Sequence, residues 1–366
     1  MTAPASGDRG RAGAVRVLHV GPDVNGRGGM PAVVRNLLAS PLGERHQLSF
    51  VRTYATADPV ARALTFALGL VRTARWCLGR GPRIVHVHMA TRGSWYRKAI
   101  CTTLVKALRR PVVLHLHAGA GDIRAFDGRI GPVRRRLIGW SFSLADRIFA
   151  VSDASAEELE RIFAFGDVGV VPNPAPAVPG PAVEARAVTA APAFLYLGGF
   201  ANPAKGGDVL LDALPEVFAS CPAARVTLAG PGEPPAAALT LAASADVRWA
   251  GYLDAAAKDA ALRDAEVFVM PSRSEGLPVA LLEAMAYGCA IVATRAGGIP
   301  EVVSDDVTAV LVEPGDAGAL ARALIATAHD GDRRARLAAA ARERAEQLND
   351  SDVVDRLDRA YRELVA

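Results

Sequence analysis

Two glutamates stand eight residues apart where a predicted buried strand runs into a predicted helix. Glu275 follows the apolar run 267–270 and precedes Gly276-Leu277-Pro278, and Glu283 lies among the leucine, alanine and methionine residues of the following helix. Parallel α/β sheets bind ligands at such junctions, and backbone N–H groups at the start of a helix attract anions. An unpaired buried carboxylate is costly, so we predict that sugar or ribose hydroxyls donate hydrogen bonds to Glu283. The alternative is a glutamate on the exposed edge of an amphipathic helix.

A glycine-rich turn near the start of the second half of the chain carries a lysine. Lys205 lies within residues 196–207, where four glycines flank it at the end of an apolar run. Glycine allows a ligand to approach the backbone closely, and lysine is a common phosphate ligand. The turn therefore predicts a phosphate site. A solvated surface lysine is the alternative.

A second glycine pair follows the first predicted strand. Gly28 and Gly29 directly precede a predicted helix, where they allow close approach of a ligand to the backbone. The loop lacks the G-x-G-x-x-G dinucleotide fingerprint, and no acidic residue lies at the distance expected for a ribose contact. These observations disfavour a dehydrogenase. A plain flexible loop remains the alternative to a ligand-binding one.

Two predicted strands contain the pattern His-x-His. His86 and His88 form the first pair, and His115 and His117 form the second. Alternate residues of a strand point to one side, so either pair could chelate a metal, but neither is joined in sequence by a cysteine or a carboxylate. We therefore predict no metal, with core positions for the first three histidines. His117 differs, because it ends its strand and meets the small-residue stretch 118–122, which we interpret as a loop.

Apolar runs of strand length alternate with helical patterns from end to end. This alternation predicts an α/β protein with doubly wound parallel sheets, and the length of 366 residues fits two domains. A proline- and alanine-rich stretch interrupts the pattern and is predicted to be a linker. The predicted organisation is a disordered tail at 1–13, a first domain at 14–171, the linker at 172–192, a second domain at 193–345, and a C-terminal helix at 346–366 that packs back on the first domain.

The composition excludes several classes of protein. Hydrophobic residues make up 51% of the chain, which excludes disorder, and no run approaches the ~18 apolar residues of a membrane span. The net charge of +4 is too small to indicate nucleic-acid binding. The four cysteines show no C-x-x-C spacing, and residues 1–13 lack the apolar stretch of a signal peptide. Reduced thiols and a cytoplasmic location are expected.

The segment around the two glutamates resembles a family signature. The spacing Glu275-x7-Glu283, with Pro271-Ser272 before it and Gly276-Leu277-Pro278 inside it, is similar to the E-x7-E signature of retaining GT-B glycosyltransferases, specifically the GT4-like family, glycosyl transferases group 1. The resemblance extends over most of the chain through the loops at 28–29, 205–207, 228–232, 251–253 and 294–301.

This resemblance implies a GT-B fold, with two Rossmann-like domains facing a central cleft, and transfer of a sugar from a nucleotide-diphosphate sugar. It implies catalytic roles for His117 and Glu275. It also implies donor contacts from a larger set of residues: Lys205, Gly199, Gly276, Leu277, Glu283, Gly28, Gly29, Gly230, Tyr252 and Leu253. Such enzymes meet the charge of the departing diphosphate with protein charge and a helix dipole, so neither a metal nor a cofactor is expected.

One position departs from the family pattern. Gly199 stands where the family has an arginine that grips the donor diphosphate. The departure leaves open a non-catalytic GT-B-fold protein that binds a nucleotide or a partner. A sugar-nucleotide epimerase is a further alternative, although it would need additional acid–base carboxylates near the sugar.

The acceptor is expected to be a glycan, a lipid-linked molecule or a small molecule, in the synthesis of a surface polysaccharide or glycoconjugate. The segment Ala63 to Arg80 alternates apolar residues with Arg72, Arg75 and Arg80, as in an amphipathic helix, and further arginines occur at 109–110 and 134–136. A peripheral contact with the inner face of the cell membrane is one interpretation. A solvated helix face packed on the sheet is the other.

Overall fold

The structure, a computed structural model, describes residues 14–26, 28–54, 58–91, 93–175, 192–348 and 350–366. The predicted tail at 1–13 and most of the predicted linker at 172–192 lie outside these residues. Within the described part of the chain, no helix combines the length and apolar character needed to cross a bilayer.

The first half of the chain builds one six-stranded sheet, ordered β2-β1-β3-β4-β5-β6. Its strands are β1 (Arg16–Pro22), β2 (Gln47–Tyr54), β3 (Arg83–Met89), β4 (Val112–Leu116), β5 (Arg147–Ala150) and β6 (Gly169–Val170). The helices between them are α1 (Gly29–Ala39), α2 (Leu42–Arg45), α3 (Pro59–Cys77), α4 (Gly93–Ala107), α5 (Ala120–Asp127), α6 (Pro132–Ser143) and α7 (Asp153–Phe163).

The second half builds another six-stranded sheet, ordered β12-β11-β10-β7-β8-β9. Its strands are β7 (Ala193–Tyr196), β8 (Arg225–Leu228), β9 (Val247–Trp249), β10 (Val267–Met270), β11 (Ala290–Thr294) and β12 (Val310–Val312). A 3-10 turn (Pro203–Lys205) is followed by α8 (Gly207–Ser220), α9 (Ala236–Ser244), α10 (Ala255–Asp264), α11 (Val279–Ala286), α12 (Ile299–Val302), α13 (Ala317–His329), α14 (Gly331–Gln347) and α15 (Asp350–Glu363).

The central strands of the second sheet show why these sequences form parallel strands. Every residue of β10 and of β11 is buried, and Val267 is level with Ala290 in parallel register. Strands covered by helices on both faces need continuous apolar runs rather than alternation, and both strands have them. The two parallel sheets with flanking helices confirm the predicted α/β class.

The stretch 118–122 corrects one prediction. Its small residues indicate a loop, yet α5 begins at Ala120 and includes Gly121 and Asp122. Gly119 adopts an extended conformation at the helix N-cap, and Asp122 in the first turn interacts favourably with the helix dipole. The glycines in this stretch are typical of loops, so the sequence did not indicate that a helix starts here.

Packing divides the chain into two compact units. The first comprises the described residues within Met1–Leu116, Pro132–Phe149 and Ser351–Ala366, and the second those within His117–Gly131 and Ala150–Asp350. Helix α15 is therefore part of the first unit, where the hydroxyl of Tyr361 lies 2.5 Å from Nδ1 of His86. Asp355, also on α15, pairs with Arg45 at 2.5 Å.

Buried histidines of the first unit stack on one face of its sheet. His19 on β1 is level with His86 on β3, and His88 follows two residues later. The ring planes of His19 and His88 are 13° apart, and those of His86 and His88 are 19° apart. Their ring nitrogens lie within 4.8 Å of one another, and Nδ1 of His19 is 2.9 Å from Nε2 of His88, so these two nitrogens share one hydrogen bond when the rings are neutral. This is the arrangement of packed core side chains.

The burial of His19 predicts a loss of stability in mild acid. Burial lowers the pKa of His19 from 6.5 to about 3, so the unfolded chain binds more protons than the folded one between these values. The free energy of unfolding should therefore be undiminished above pH 6.5 and should fall as the pH drops below it, by about 2 kcal/mol at pH 5 from this residue. Denaturant unfolding of wild type and His19→Asn at pH 7 and pH 5 measures it. An equal loss in both proteins would contradict the assignment.

Candidate active site

The carboxyl ends of three neighbouring strands of the second sheet are joined by backbone hydrogen bonds. The N–H of Gly199, after β7, donates to the carbonyl of Ala229, after β8, at 2.9 Å. The N–H of Gly230 donates to the carbonyl of Gly251, after β9, at 2.8 Å. Ligands of parallel α/β sheets bind at this edge, and the predicted donor-binding loops meet there. In the loop after β9, Tyr252 is exposed and the neighbouring Leu253 is half-buried.

The backbone at Gly199 explains the departure from the family pattern. Gly199 has φ +63°, and a Cβ added there would overlap the carbonyl oxygen of Pro231. Gly230, with φ +134°, also lies close to Gly199, because a Cβ added at Gly230 would overlap the Gly199 nitrogen. A side chain at position 199 is therefore excluded by strain and by lack of space.

We expect Gly199→Arg to damage the protein rather than restore a missing contact. Strain and overlap should lower the free energy of unfolding by at least about 2 kcal/mol, without any gain in nucleotide affinity. Gly166→Arg is the matched control, because a Cβ at Gly166 meets open space. Thermal unfolding and calorimetric titration with nucleoside diphosphates measure the two effects. A stable Gly199→Arg protein that binds nucleotide more tightly would refute the expectation.

The turn that carries Lys205 is fixed on two sides. The hydroxyl of Tyr196 donates to the carbonyl of Gly199 at 2.8 Å and contacts the carbonyl of Lys205 at 3.3 Å. The N–H of Arg273 donates to the carbonyl of Ala204 at 2.7 Å. Tyr196 and Arg273 are not predictable as site residues, because an apolar strand and an exposed loop give no sign of these tertiary contacts.

Lys205 and Glu275 lie together. The Lys205 ammonium is 2.9 Å from each carboxylate oxygen of Glu275, and the Ser272 hydroxyl donates to Oε1 at 2.6 Å. Glu275 is only 5% exposed. Thr294, at the end of β11, donates its hydroxyl to the Ser272 carbonyl at 2.5 Å. Two residues predicted from separate motifs, 70 positions apart, thus form one charged centre.

Glycines hold the backbone of Glu275 and Gly276. A Cβ at Gly119 or at Gly297 would overlap the Glu275 carbonyl, and one at Gly298 would overlap that of Gly276. The N–H of Gly298 donates to the Gly276 carbonyl at 3.0 Å. The segments after β4 and after β11 therefore pack tightly on the Glu275 loop, and only glycine permits this approach.

His117 is connected to the same loop through an asparagine. Its Nδ1 lies 3.1 Å from Oδ1 of Asn173, and Nδ2 of Asn173 donates to the Leu277 carbonyl at 2.5 Å. The second bond fixes the amide orientation, so His117 donates through Nδ1–H and carries its acceptor lone pair on Nε2. Burial lowers the pKa of His117 to about 4, against an opposing effect of Asn173, so the imidazole is neutral at pH 7.

Glu283 has a protein partner that the sequence did not reveal. On α11, its carboxylate oxygen Oε1 accepts a short hydrogen bond from the ammonium of Lys258 on α10. The side chain of Glu283 is 13% exposed. Its burial therefore does not require hydroxyls from a ligand, because Lys258 already supplies a donor and a charge.

Gly28 and Gly29 belong to the first unit. Gly29 begins α1, and Gly28 at its N-cap has φ +112°. This backbone conformation favours glycine, and a Cβ at Gly28 would meet open space. The position is therefore glycine for its backbone conformation, and the space around it allows a molecule to approach.

Comparison with solved structures shows the fold family. Sucrose-phosphate synthase from Thermosynechococcus elongatus is similar with a TM-score of 0.76 and 19% identity, covering 96% of this chain and 99% of that one. The Anabaena protein HepE, crystallised with UDP and glucose, is similar with a TM-score of 0.72 and 17% identity over 94% of this chain and 99% of that one. The fold is that of the GT-B glycosyltransferases.

Comparison of sequences gives the family. Models described as Glycosyltransferase Family 4 and as Glycosyl transferases group 1 match residues 27–177 and 191–330. A phosphatidyl-myo-inositol mannosyltransferase from Mycobacterium tuberculosis is 31% identical over 271 residues, covering 69% of this chain and 67% of the relative. One of that name from Mycobacterium leprae is 28% identical over 306 residues, covering 79% and 76%. The chain belongs to the GT4 family of glycosyl transferases group 1 and is a glycosyltransferase enzyme.

Proposed function

We propose that the protein transfers a sugar, with retention of configuration, from a nucleotide-diphosphate sugar to a lipid-linked or glycan acceptor. The observation that carries the proposal is the charged centre of Lys205 and Glu275, 2.9 Å apart at the carboxyl edge of the second sheet, next to the start of α11. A cation, a helix N-terminus and a carboxylate are the groups that a diphosphate joined to a sugar requires.

Each residue has a role that its chemistry supports. Lys205 and the N–H groups of Gly276 and Leu277 would meet the negative charge that develops on the departing diphosphate. Glu275 would accept hydrogen bonds from hydroxyls of the transferred sugar, and neutral His117, connected to the Glu275 loop through Asn173, would lie near that sugar. We expect this stabilisation to need no metal ion, because protein charge and backbone dipoles provide it.

The nucleoside would lie along the neighbouring strand ends. Glu283, oriented by Lys258, has a remaining carboxylate oxygen for ribose hydroxyls, and the loops at Gly230 and at Tyr252-Leu253 would border the base. The structural comparison supports a nucleotide donor, since HepE was crystallised with UDP and glucose. The named mannosyltransferase relatives act, by their names, on phosphatidyl-myo-inositol, which supports a lipid-linked acceptor.

A donor screen tests the proposed reaction. Purified protein is incubated with UDP-glucose, GDP-mannose or ADP-glucose and an extract of polar lipids, with and without EDTA, and intact products are identified by mass spectrometry. We expect one donor to yield a product heavier by one hexose, both with and without chelator. Release of nucleotide without a glycosylated product, for every donor, would contradict the acceptor class.

Three helices of the first unit present an apolar surface without acidic residues, here called the basic apolar face. Helix α4 packs against both α3 and α6, and none of the three contains an aspartate or glutamate. The exposed apolar side chains, between 38% and 71% exposed, are Val60, Leu64, Leu68 and Val71 on α3, Tyr96 and Ile100 on α4, and Val133, Leu137 and Trp140 on α6. Exposed arginines at 72, 75, 134 and 136 accompany them.

The basic apolar face fits an anionic membrane surface, where a lipid-linked acceptor would be met. Apolar side chains with a tryptophan enter the headgroup region, and each nearby arginine contributes about 1 kcal/mol on anionic lipid. A small soluble acceptor would leave this face without a function. The combination therefore supports a peripheral membrane contact.

We expect the protein to co-sediment with vesicles of anionic lipid at low salt and to be released at high salt, because salt screens the attraction. Leu64→Glu combined with Leu68→Glu should abolish binding. Leu239→Glu, at an apolar position that is 56% exposed on α9, is the matched control and should bind like wild type. Protein that stays in the supernatant at low salt would refute the membrane contact and favour a small soluble acceptor.

A further inference from the structure

The two charged residues of the proposed donor site neutralise each other. The ammonium of Lys205 is 2.9 Å from both carboxylate oxygens of Glu275, although the proposed function needs the lysine for the diphosphate and the glutamate for the sugar. Oε1 of Glu275 also accepts the Ser272 hydroxyl. The acceptor sites of the carboxylate are thus largely occupied by the protein itself.

The two partners differ in their freedom to move. Glu275 is 5% exposed, is held by Ser272, and belongs to a loop packed against Gly119 and Gly297. The side chain of Lys205 is 35% exposed and is a flexible four-carbon stem with three donors. When the ion pair breaks, we therefore expect Lys205 to move and Glu275 to stay in place.

We infer that the Lys205–Glu275 ion pair closes the proposed donor site, and that a diphosphate opens it by taking Lys205 from Glu275. The inference rests on the proposed function. A diphosphate carries more negative charge than a carboxylate and accepts charge-assisted hydrogen bonds, so it competes for the lysine. Departure of the lysine frees the Glu275 oxygens to accept hydroxyls of the sugar. A donor that carries both groups would then satisfy both residues, whereas a free sugar would meet a carboxylate that is already paired.

The exchange and a supporting role of Glu275 predict opposite effects on diphosphate binding. If Glu275 competes with the diphosphate for Lys205, then removing its charge should strengthen diphosphate binding. If Glu275 instead holds Lys205 in place for the diphosphate, removing its charge should weaken binding. The amide of Glu275→Gln keeps an oxygen for Ser272 and preserves the shape of the side chain, so the variant separates these two cases.

Calorimetric titration with inorganic pyrophosphate and with UDP, GDP and ADP tests the exchange. Glu275→Gln is expected to bind pyrophosphate and the preferred nucleotide about fivefold more tightly than wild type, as the loss of a partly exposed competing ion pair implies. In a Lys205→Met background the same substitution should give no tightening. Asp264→Asn removes one charge from an exposed ion pair with Arg225 and is the control, which should match wild type.

The outcomes separate the inference from the proposed function. Unchanged or weaker pyrophosphate binding by Glu275→Gln, or tightening that persists without Lys205, overturns the exchange. Failure of wild type and Glu275→Gln to bind any of the three nucleotides overturns the proposed donor class. Tighter pyrophosphate binding without nucleotide binding would leave the exchange standing and remove the nucleoside from the proposal.

Discussion

Glu275→Ala is expected to abolish sugar transfer while the fold remains intact. The carboxylate is the acidic partner at the charged centre, and alanine leaves no acceptor for the sugar hydroxyls. Loss of an interaction that acts in a water-poor site typically lowers kcat by about 10²–10³. The stability cost should be about 1–3 kcal/mol, because the buried Ser272 hydroxyl loses its acceptor, whereas the side chain of Lys205 is 35% exposed and returns to solvent.

Initial rates with the preferred donor and the thermal midpoint are measured together for this variant. Ser272→Ala is the matched control, since it removes one hydrogen bond to Glu275 but keeps the charge. The control should retain most of the activity. A Glu275→Ala protein that unfolds would show that the carboxylate serves the fold. A folded variant that turns over at the wild-type rate would exclude the carboxylate from the reaction.

The strand before Glu275 shows how far the sequence predicts the structure. The apolar run 267–270 predicts a strand and forms β10 with the same bounds, because a short apolar run before Pro271-Ser272 has few other conformations in an α/β chain. The coming together of Lys205 and Glu275 follows similarly. Both residues lie in loops that follow neighbouring strands of a parallel sheet, β7 and β10, and the carboxyl ends of such strands lie at one edge.

The partners of the site residues could not be predicted in this way. Lys258 on α10 reaches Glu283 on α11 through a tertiary side-chain contact, and neither its polar helix nor its spacing signals that contact. Asn173 lies between two prolines in a stretch predicted to be linker, yet it is 6% exposed and bridges His117 and Leu277. The sequence offers one signal for Asn173, a polar residue between two prolines. Its role becomes recognisable once the structure shows that this side chain is buried.

Gly199 shows a different limit of the sequence. The family pattern has an arginine at this position, so from the sequence alone Gly199 is interpreted as the loss of a positive charge. The structure shows a position where φ is +63° and where a side chain has no space, so the backbone conformation determines the residue. Lys205 is then the basic side chain that contacts Glu275. Lys205 and backbone N–H groups would balance most of the negative charge of a bound diphosphate.

Lys205→Ala should therefore weaken nucleoside diphosphate binding strongly. A hydrogen bond to a charged group contributes about 1.5–3 kcal/mol, which corresponds to a loss of about ten- to 150-fold in affinity. The loss should be similar for the nucleotide and for pyrophosphate, because the lysine meets phosphate and not the base. Calorimetry with UDP, GDP and ADP gives the affinities, and Arg225→Ala, in an exposed ion pair with Asp264, is the matched control. Since the variant also leaves Glu275 without its cation, unfolding is measured in parallel. A folded Lys205→Ala protein with wild-type affinity would place the diphosphate elsewhere.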